Sequence, residues 1–357
     1  MPEIETKLDK MGYRLPPPPP SAGNYLPANR SGNIMWLAGV GSRTADGGGT
    51  TGKLGSDLSV EEGYEAARWC AMNLLSRMKA ELGDLDFRLW TPDGANIGDP
   101  ADIEFVLAWG PKKGAFKEFP NLKAIFCLGA GVDHLIGRDL PDGVPVVRLV
   151  DPGLTRGMRE YVIYWTLHYH RRFKEYADSA AAGEWRQLPQ ADTRKRRVGI
   201  LGLGVLGADA AAHLCALEFD VAGWSRSAKA LDGIESFHGT DGLAAFLART
   251  EILVNLLPLT PETTGIINAE NLSQLPKGAV VINAARGPHV VDDDLIRALD
   301  DGHIAAATLD VFHTEPLPAD HPFWAHPKIN ITPHAASLTV QETAAVAIAD
   351  NIRRIRA

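Results

Sequence analysis

The sequence has little cysteine, no excess of positive charge and no long apolar run. Its three cysteines, Cys70, Cys127 and Cys215, are widely spaced among apolar residues. They predict buried free thiols in a reducing compartment and not a disulfide framework or a metal site. The net charge of -8 argues against a nucleic acid or an anionic membrane as partner. The most apolar stretch, 198–218, is interrupted by an aspartate and a histidine, so no membrane span is predicted.

The N-terminus shows no apolar core behind positive charge, so no secretion signal is predicted and the protein is expected in the cytoplasm. The histidines at 134, 168, 170, 289 and 313 are scattered, and they form no metal-ligand pattern. A chain of 357 residues predicts two domains, with three as the alternative.

The chain is organised around a glycine-rich turn within 198–207, which reads Val-Gly-Ile-Leu-Gly-Leu-Gly-Val-Leu-Gly. Its last three glycines, Gly202, Gly204 and Gly207, have the spacing Gly-x-Gly-x-x-Gly. A short apolar strand precedes them, and an Ala- and Leu-rich helix over 208–217 follows. This context predicts a dinucleotide site, with the pyrophosphate at the helix N-terminus.

Strand-like runs alternate with helical or loop stretches beyond this turn. The predicted strands are 198–201, 220–224, 252–256, 279–283, 305–310 and 329–332. Six strands of this kind predict an α/β fold with a doubly wound parallel sheet, a Rossmann coenzyme domain over 151–334.

Upstream, the runs 87–90, 105–109 and 122–127 predict a smaller, flavodoxin-like α/β substrate domain formed by 87–150 and 335–357. The turn Gly129–Val132 follows the third run. It is either an anion site of backbone N–H groups or a plain tight turn. Helices are predicted over 155–176 and 340–356. The aromatic residues of the first predict core or a dimer interface, so a homodimer is expected.

Three polar residues follow predicted strands of the larger sheet, namely Arg286, Glu315 and His334. Carboxyl ends of parallel strands meet at one edge, beside the glycine turn. An Arg can clamp a carboxylate, a His can transfer a proton, and a Glu can orient that His. Each residue alone has an ordinary structural explanation. Together they predict the reduction of a 2-keto acid by a nicotinamide coenzyme.

The residues after the second predicted strand indicate the coenzyme. NAD sites place an Asp or Glu there to bind the ribose 2′-OH, whereas this chain has Ser225, Arg226 and Ser227, with Lys229 nearby. Asp220 lies at the start of the strand, too early to reach the ribose. An Arg flanked by hydroxyls suits a 2′-phosphate. NADPH is therefore the predicted coenzyme, with NADH left open.

From about residue 87 the sequence resembles the D-2-hydroxyacid dehydrogenase family, in its glyoxylate/hydroxypyruvate reductase branch. The matching stretches are 128–134, 199–207, 223–227, 256–262, 285–287, 309–312, 315–318 and 332–334. The resemblance implies that Arg286 binds the substrate carboxylate and that His334 is the acid/base with Glu315 as partner. It also implies substrate contacts from Gly129, Ala130, Gly131 and Val132, and coenzyme contacts from Val205, Leu206, Leu257, Pro258 and Asp310, the last to the nicotinamide amide.

Residues 1–86 resemble the front half of the Rid (YjgF-type) enamine/imine deaminases. The resemblance lies in the stretches 15–20, 22–25, 32–34 and 57–67. The capping-box pair Ser59 and Glu62 predicts a helix over 60–82, and 33–40 reads as a strand. We predict that this segment completes the substrate domain as a β-α-β unit. A loosely attached appendage is the competing outcome.

Two other functions stay open from sequence. The first is a non-catalytic dinucleotide-sensing protein, which would not need Arg286, Glu315 and His334 together. The second is a Rid-type imine deaminase or binding module, which is disfavoured because the back half of that domain does not follow.

Overall fold

In the computed structural model, the described residues are 98–136 and 140–356, preceded by 28–31, 34–37, 44, 48–49, 59, 62, 65–66 and 69. The strand predicted at 87–90 and most of the helix predicted over 60–82 lie outside them. The described residues form two compact units. One runs to Gly153 and resumes at Thr339, and the other is Leu154–Leu338.

The strands of the first unit are β1 (Ala28–Ser31), β2 (Ile34–Leu37), β3 (Phe105–Ala108), β4 (Ala124–Cys127) and β5 (Val146–Val147). Those of the second are β6 (Arg197–Leu201), β7 (Asp220–Ser225), β8 (Glu235–His238), β9 (Ile252–Asn255), β10 (Ala279–Asn283), β11 (Ile304–Leu309) and β12 (Ile329–Ile331). The helices are α1 (Pro152–His170), α2 (Phe173–Ala181), α3 (Val205–Ala216), α4 (Gly239–Arg249), α5 (Ala269–Gln274), α6 (Asp292–Asp300) and α7 (Gln341–Arg356).

The second unit is built on a parallel sheet of seven strands in the order β12-β11-β10-β9-β6-β7-β8. The central strands β9 and β10 are buried along their whole length, as expected for a sheet covered on both faces. One apolar core packs α4, α5 and α6 against the sheet, and a second packs α1 and α3. The predicted doubly wound α/β fold is therefore confirmed.

β8, the third strand of the sheet in chain order, was not predicted from the sequence. This strand lies at the edge of the sheet, and its four residues, Glu-Ser-Phe-His, are exposed or half-buried. A strand at the edge of a sheet that is largely exposed to solvent does not need apolar residues, so its sequence lacks the apolar run that predicts a buried strand.

The single helix predicted over 155–176 is wrong. The structure has two helices, α1 and α2, because Arg172 adopts a left-handed backbone with φ of 59° and becomes the residue preceding α2. Within α1, Met158, Val162 and Trp165 are buried in the core of this unit, whereas Tyr164 is 58% exposed.

The first unit contains the parallel sheet β3-β4-β5 around a core that includes Phe116, Ile125 and Leu135. The two-residue strand β5 was not predicted. In α7, Arg356 forms an ion pair with Glu104 at 3.1 Å. Among the helices described in either unit, none is long and apolar enough to cross a bilayer.

The strand predicted at 33–40 does not enter a parallel pair in the described residues. Over Ile34–Leu37 it pairs antiparallel with Ala28–Ser31, with Ser31 opposite Ile34. The capping box is present, since Glu62 Oε2 accepts the Ser59 N–H at 2.8 Å and Ser59 Oγ accepts the Glu62 N–H at 3.2 Å.

Candidate active site

The glycine turn connects β6 to α3 in the geometry that a pyrophosphate requires. Gly202 has φ of 101°, a left-handed conformation that favours glycine. A Cβ on Gly207 would collide with the carbonyl oxygen of Gly202, so α3 can pack closely only without a side chain there. A Cβ on Gly204 would meet no protein atom. Backbone N–H groups of Val205 and Leu206 open α3, and this turn fits a dinucleotide phosphate.

The residues predicted to choose the coenzyme form an exposed turn after β7. Ser225 is the buried last residue of the strand, and its hydroxyl donates to the Ser227 carbonyl at 2.8 Å. Arg226, Ser227 and Lys229 are exposed. Asp220 lies at the opposite end of the strand, where it pairs with Arg249. The end of β7 and the two residues after it therefore supply no carboxylate for a ribose 2′-OH, although Glu262 lies close enough to Arg226 to interact with it electrostatically.

Arg286 follows β10 and is half-buried. Its Nη1 donates to the Ala285 carbonyl at 2.7 Å, and its own carbonyl accepts the Asn283 Nδ2–H at 2.9 Å. A Cβ on Gly287 would collide with the Phe312 carbonyl group. The loop that carries Arg286 is therefore packed directly against the backbone that leads to Glu315.

Glu315 and His334 lie in contact although 19 residues separate them in sequence. His334 Nδ1 is 2.7 Å from Glu315 Oε2, and Glu315 Oε1 accepts the Phe312 N–H at 2.9 Å. A carboxylate at Nδ1 requires a proton on that nitrogen, which leaves Nε2 as the ring atom that can exchange a proton. His334 adopts a left-handed backbone with φ of 52°, a strained conformation of the kind that clusters at functional sites.

Asp310 holds the loop that carries His334. Its buried carboxylate accepts hydrogen bonds from the Thr332 hydroxyl at 2.5 Å and from the Ala335 and Ala336 N–H groups at 2.8 and 2.9 Å. Its carbonyl accepts the His334 N–H at 2.8 Å. A carboxylate has about four acceptor sites, so a nicotinamide amide would have to use the one that remains.

The His334 loop is also tied to α1. Tyr161 Oη lies 2.8 Å from Thr332 Oγ1, and burial raises the pKa of the Tyr161 phenol well above its ordinary value. The phenol therefore stays protonated and remains a hydrogen-bonding group at all physiological pH values. From the sequence, Tyr161 was predicted only to pack inside the helix.

The predicted anion turn Gly129–Val132 lies in the first unit, after β4. The ring of Trp109 lies so close to Gly129 that a Cβ there would collide with it. The same ring contacts His134 in a tilted arrangement, with centroids 4.2 Å apart. The Cys127 thiol donates to the Gly131 carbonyl at 3.1 Å. Cys127 is thus a buried free thiol that supports the turn.

Two site residues were missed altogether. Asn255 and Asn283 end β9 and β10, are fully buried, and are bonded to each other through their side chains at 3.0 Å. The sequence does indicate them, because each is the single polar residue at the end of an otherwise apolar strand. Leu257 and Pro258, predicted to contact the coenzyme, follow Asn255 directly, with Leu257 buried and Pro258 exposed. In the described part of the chain, no group of three or more His, Cys, Asp or Glu side chains could hold a metal ion.

Residues 163–336 match the family described as D-isomer specific 2-hydroxyacid dehydrogenase, NAD binding domain. A protein of Serratia proteamaculans named glyoxylate/hydroxypyruvate reductase A is 43% identical over 300 residues, which is 82% of this chain and 93% of that protein. The protein of the same name from Yersinia enterocolitica is 41% identical over 300 residues, with the same shares covered.

Solved structures give the same result. The D-isomer specific 2-hydroxyacid dehydrogenase of Xanthobacter autotrophicus, in complex with NADPH and MES, is 48% identical with a TM-score of 0.77, over 79% of this chain and 90% of that one. The NADPH-dependent glyoxylate/hydroxypyruvate reductase of Sinorhizobium meliloti, in complex with NADP and sulfate, is 40% identical with a TM-score of 0.70, over 74% and 85%. This chain therefore belongs to the D-isomer specific 2-hydroxyacid dehydrogenase family.

Proposed function

We propose that this protein is a reductase of small 2-keto acids, glyoxylate and hydroxypyruvate among them, that uses NADPH. The observation that carries the proposal is the bonded pair His334 and Glu315 at the strand-end edge beside the Arg286 loop. The names of the relatives from Serratia and Sinorhizobium support the substrate class. A protein that only sensed a dinucleotide would not need this combination.

The chemistry divides between coenzyme and protein. The reduced nicotinamide would supply hydride to the carbonyl carbon. His334 gives the proton on Nε2 to the carbonyl oxygen, and Glu315 holds Nδ1 protonated so that the ring is correctly oriented throughout. Arg286 binds the substrate carboxylate through its planar guanidinium and thereby orients the carbonyl. The Gly129–Val132 turn keeps its predicted role as a donor of backbone N–H groups to an anion.

The coenzyme preference rests on the turn after β7. Arg226, Ser227 and Lys229 are exposed there, and a guanidinium binds a 2′-phosphate through charge-assisted hydrogen bonds. Solved relatives with NADPH and NADP support this preference. Gly202, Gly204 and Gly207, with Val205, Leu206, Leu257 and Pro258, would hold the remainder of the dinucleotide, and Asp310 the nicotinamide amide.

The test is NADPH oxidation by the purified protein with a panel of 2-keto acids and imines. Glyoxylate or hydroxypyruvate should be turned over, and imines should not. His334→Ala should reduce turnover by about a hundredfold or more, the usual contribution of a positioned acid. Arg286→Ala should mainly weaken substrate capture. A folded His334→Ala protein with near-normal activity would contradict the assignment.

We also propose a cytoplasmic homodimer. Aromatic side chains lie exposed along α1, α2 and the residues that follow. Tyr164 and Phe173 are about half exposed, and Trp185 is fully so. Apolar groups of this size on a surface favour burial against a partner. Light scattering should give the mass of a dimer, and the double change Tyr164→Lys and Phe173→Lys should shift it to a monomer.

For residues 1–86 we propose a Rid-like segment that belongs with the domain formed by 87–150 and 335–357, and no deaminase activity. The intact capping box of Ser59 and Glu62 supports a helix at the predicted place. Limited proteolysis tests this proposal. It fails if cleavage within 60–86 removes the segment without changing stability or activity.

A further inference from the structure

We propose that Asn255 and Asn283 are positioning residues that fix the backbone of Arg286 relative to the coenzyme loop, and so couple coenzyme binding to keto-acid binding. This inference rests on the proposed function. The two residues end neighbouring parallel strands in register with each other. Both are fully buried. Each lies where its strand leaves the sheet and its loop begins.

Beyond the strand ends, where the hydrogen bonds between strands stop, the two asparagine side chains bond to the backbone of the loops. Asn255 Oδ1 accepts the Leu257 N–H at 3.2 Å, which holds the loop predicted to contact the coenzyme. Asn283 Nδ2 donates to the Arg286 carbonyl at 2.9 Å, and Asn283 Oδ1 accepts the Ala285 N–H at 3.2 Å. One residue therefore fixes each loop.

Two hydrogen bonds join the ends of β9 and β10: the Ala284 N–H donates to the Asn255 carbonyl at 3.3 Å, and the two asparagine side chains are bonded to each other. Asn255 Nδ2 donates to Asn283 Oδ1 at 3.0 Å. A displacement of the Leu257 backbone by a bound coenzyme would thus pass through Asn255 to Asn283, and from there to the backbone of Arg286. The Arg286 loop has little other freedom, because Gly287 packs against the Phe312 backbone. The asparagine pair would therefore fix the position of the Arg286 backbone, from which the guanidinium side chain extends.

Only a primary amide satisfies all of these contacts. An amide supplies donors and an acceptor on one short side chain, whereas an ionised carboxylate only accepts. An Asp at 283 would place an oxygen against the Arg286 carbonyl oxygen in a buried site, where an unpaired polar group is costly. The expected consequence is a displaced Arg286 backbone, not merely a weaker sheet.

The experiment compares Asn283→Asp, Asn255→Asp and the matched control Asn271→Asp in the full-length protein. Asn271 Nδ2 also donates to a backbone carbonyl, that of Ile266 at 2.8 Å, but it lies outside the proposed site. The measurements are kcat and KM for glyoxylate, the Kd of NADPH by fluorescence, and the inhibition constant of oxalate with and without NADP. Melting temperatures are recorded for all variants, and Asn283→Ser replaces Asn283→Asp if the latter does not fold.

Asn283→Asp should raise KM for glyoxylate and the inhibition constant of oxalate by about tenfold or more, with the Kd of NADPH changed less than about threefold. Asn255→Asp should weaken NADPH binding and reduce the effect of NADP on oxalate binding. Asn271→Asp should change none of these. The inference is overturned if wild-type protein reduces glyoxylate but Asn283→Asp has unchanged KM and oxalate inhibition, or if Asn271→Asp gives the same changes. Wild-type protein inactive on every keto acid would instead refute the proposed function.

Discussion

The contact between Glu315 and His334 allows one substitution to be predicted in detail, Glu315→Gln. Glu315 Oε1 accepts the Phe312 N–H, and Oε2 faces His334 Nδ1. A Gln keeps the shape, and its single amide oxygen stays on the Phe312 N–H. Its NH₂ group then points at Nδ1, which must become an acceptor. The ring can no longer keep a proton on Nδ1 while it gives one from Nε2, so proton donation becomes slower.

The size of the effect follows from the exposure of the pair. A hydrogen bond to a charged group contributes about 1.5–3 kcal/mol. The two side chains are 40% and 35% exposed, and solvent screening reduces the contribution to about 1–2 kcal/mol. At about 1.4 kcal/mol per factor of ten in rate, kcat should fall about 5- to 30-fold.

The assay is steady-state reduction of glyoxylate by NADPH, with the Kd of NADPH and the melting temperature measured on the same preparation. The Kd should stay within about twofold, since Glu315 binds no part of the coenzyme in this scheme. Glu251→Gln is the matched control. Glu251 accepts the Arg197 N–H at 3.0 Å at the amino end of the sheet, away from the site. Unchanged kcat in folded Glu315→Gln protein would refute the reasoning.

Four further substitutions test other parts of the molecule. Arg226→Ala should lower the NADPH-to-NADH ratio of kcat/KM by about tenfold or more, and a ratio equal to wild type would contradict the coenzyme assignment. Gly207→Ala should cost about 1–3 kcal/mol of stability by overpacking, whereas Gly204→Ala, which meets no protein atom, should keep the melting temperature and weaken only NADPH binding. Burial lowers the pKa of His170 in the folded protein. Below about pH 6.5, His170 is therefore protonated more in the unfolded chain than in the folded protein, and the free energy of unfolding decreases as the pH falls. His170→Leu should therefore flatten the dependence of unfolding free energy on pH by up to about 1.4 kcal/mol per unit, as urea denaturation would show, and an unchanged slope would contradict the buried neutral His170.

The strands of the larger sheet were predictable from sequence where all their residues are buried, and not where the strand is only partly buried. Strands β9 and β10 are apolar because both faces are covered, and such runs carry their own signal. Strand β8 lies at the edge with polar residues and gives no signal. The break between α1 and α2 at Arg172 depends on one left-handed backbone angle, and arginine has no sequence preference that would indicate it.

The positions of the site residues were predictable, but their hydrogen-bond partners were not. Arg286, Glu315 and His334 follow strands of one parallel sheet, so topology alone places them at one edge. The carboxylate of Asp310, predicted to bind the nicotinamide amide, also accepts bonds from Thr332, Ala335 and Ala336. Those contacts join loops more than twenty residues apart in sequence, and no local pattern specifies them.

The strand-end edge carries two sets of polar residues with different tasks. The buried set ends the strands or follows them directly, and its side chains bind loop backbone; it consists of Ser225, Asn255, Asn283 and Asp310. The more exposed set comes later in each loop and consists of Arg226, Arg286, Glu315 and His334. Where a loop leaves a buried strand end, its backbone N–H and C=O groups lose their partners on the neighbouring strand. The buried set must form hydrogen bonds with these backbone groups so that the loops hold the outer set in position. Substitutions in the outer set should therefore change binding and turnover with little loss of stability, whereas those in the buried set should change both.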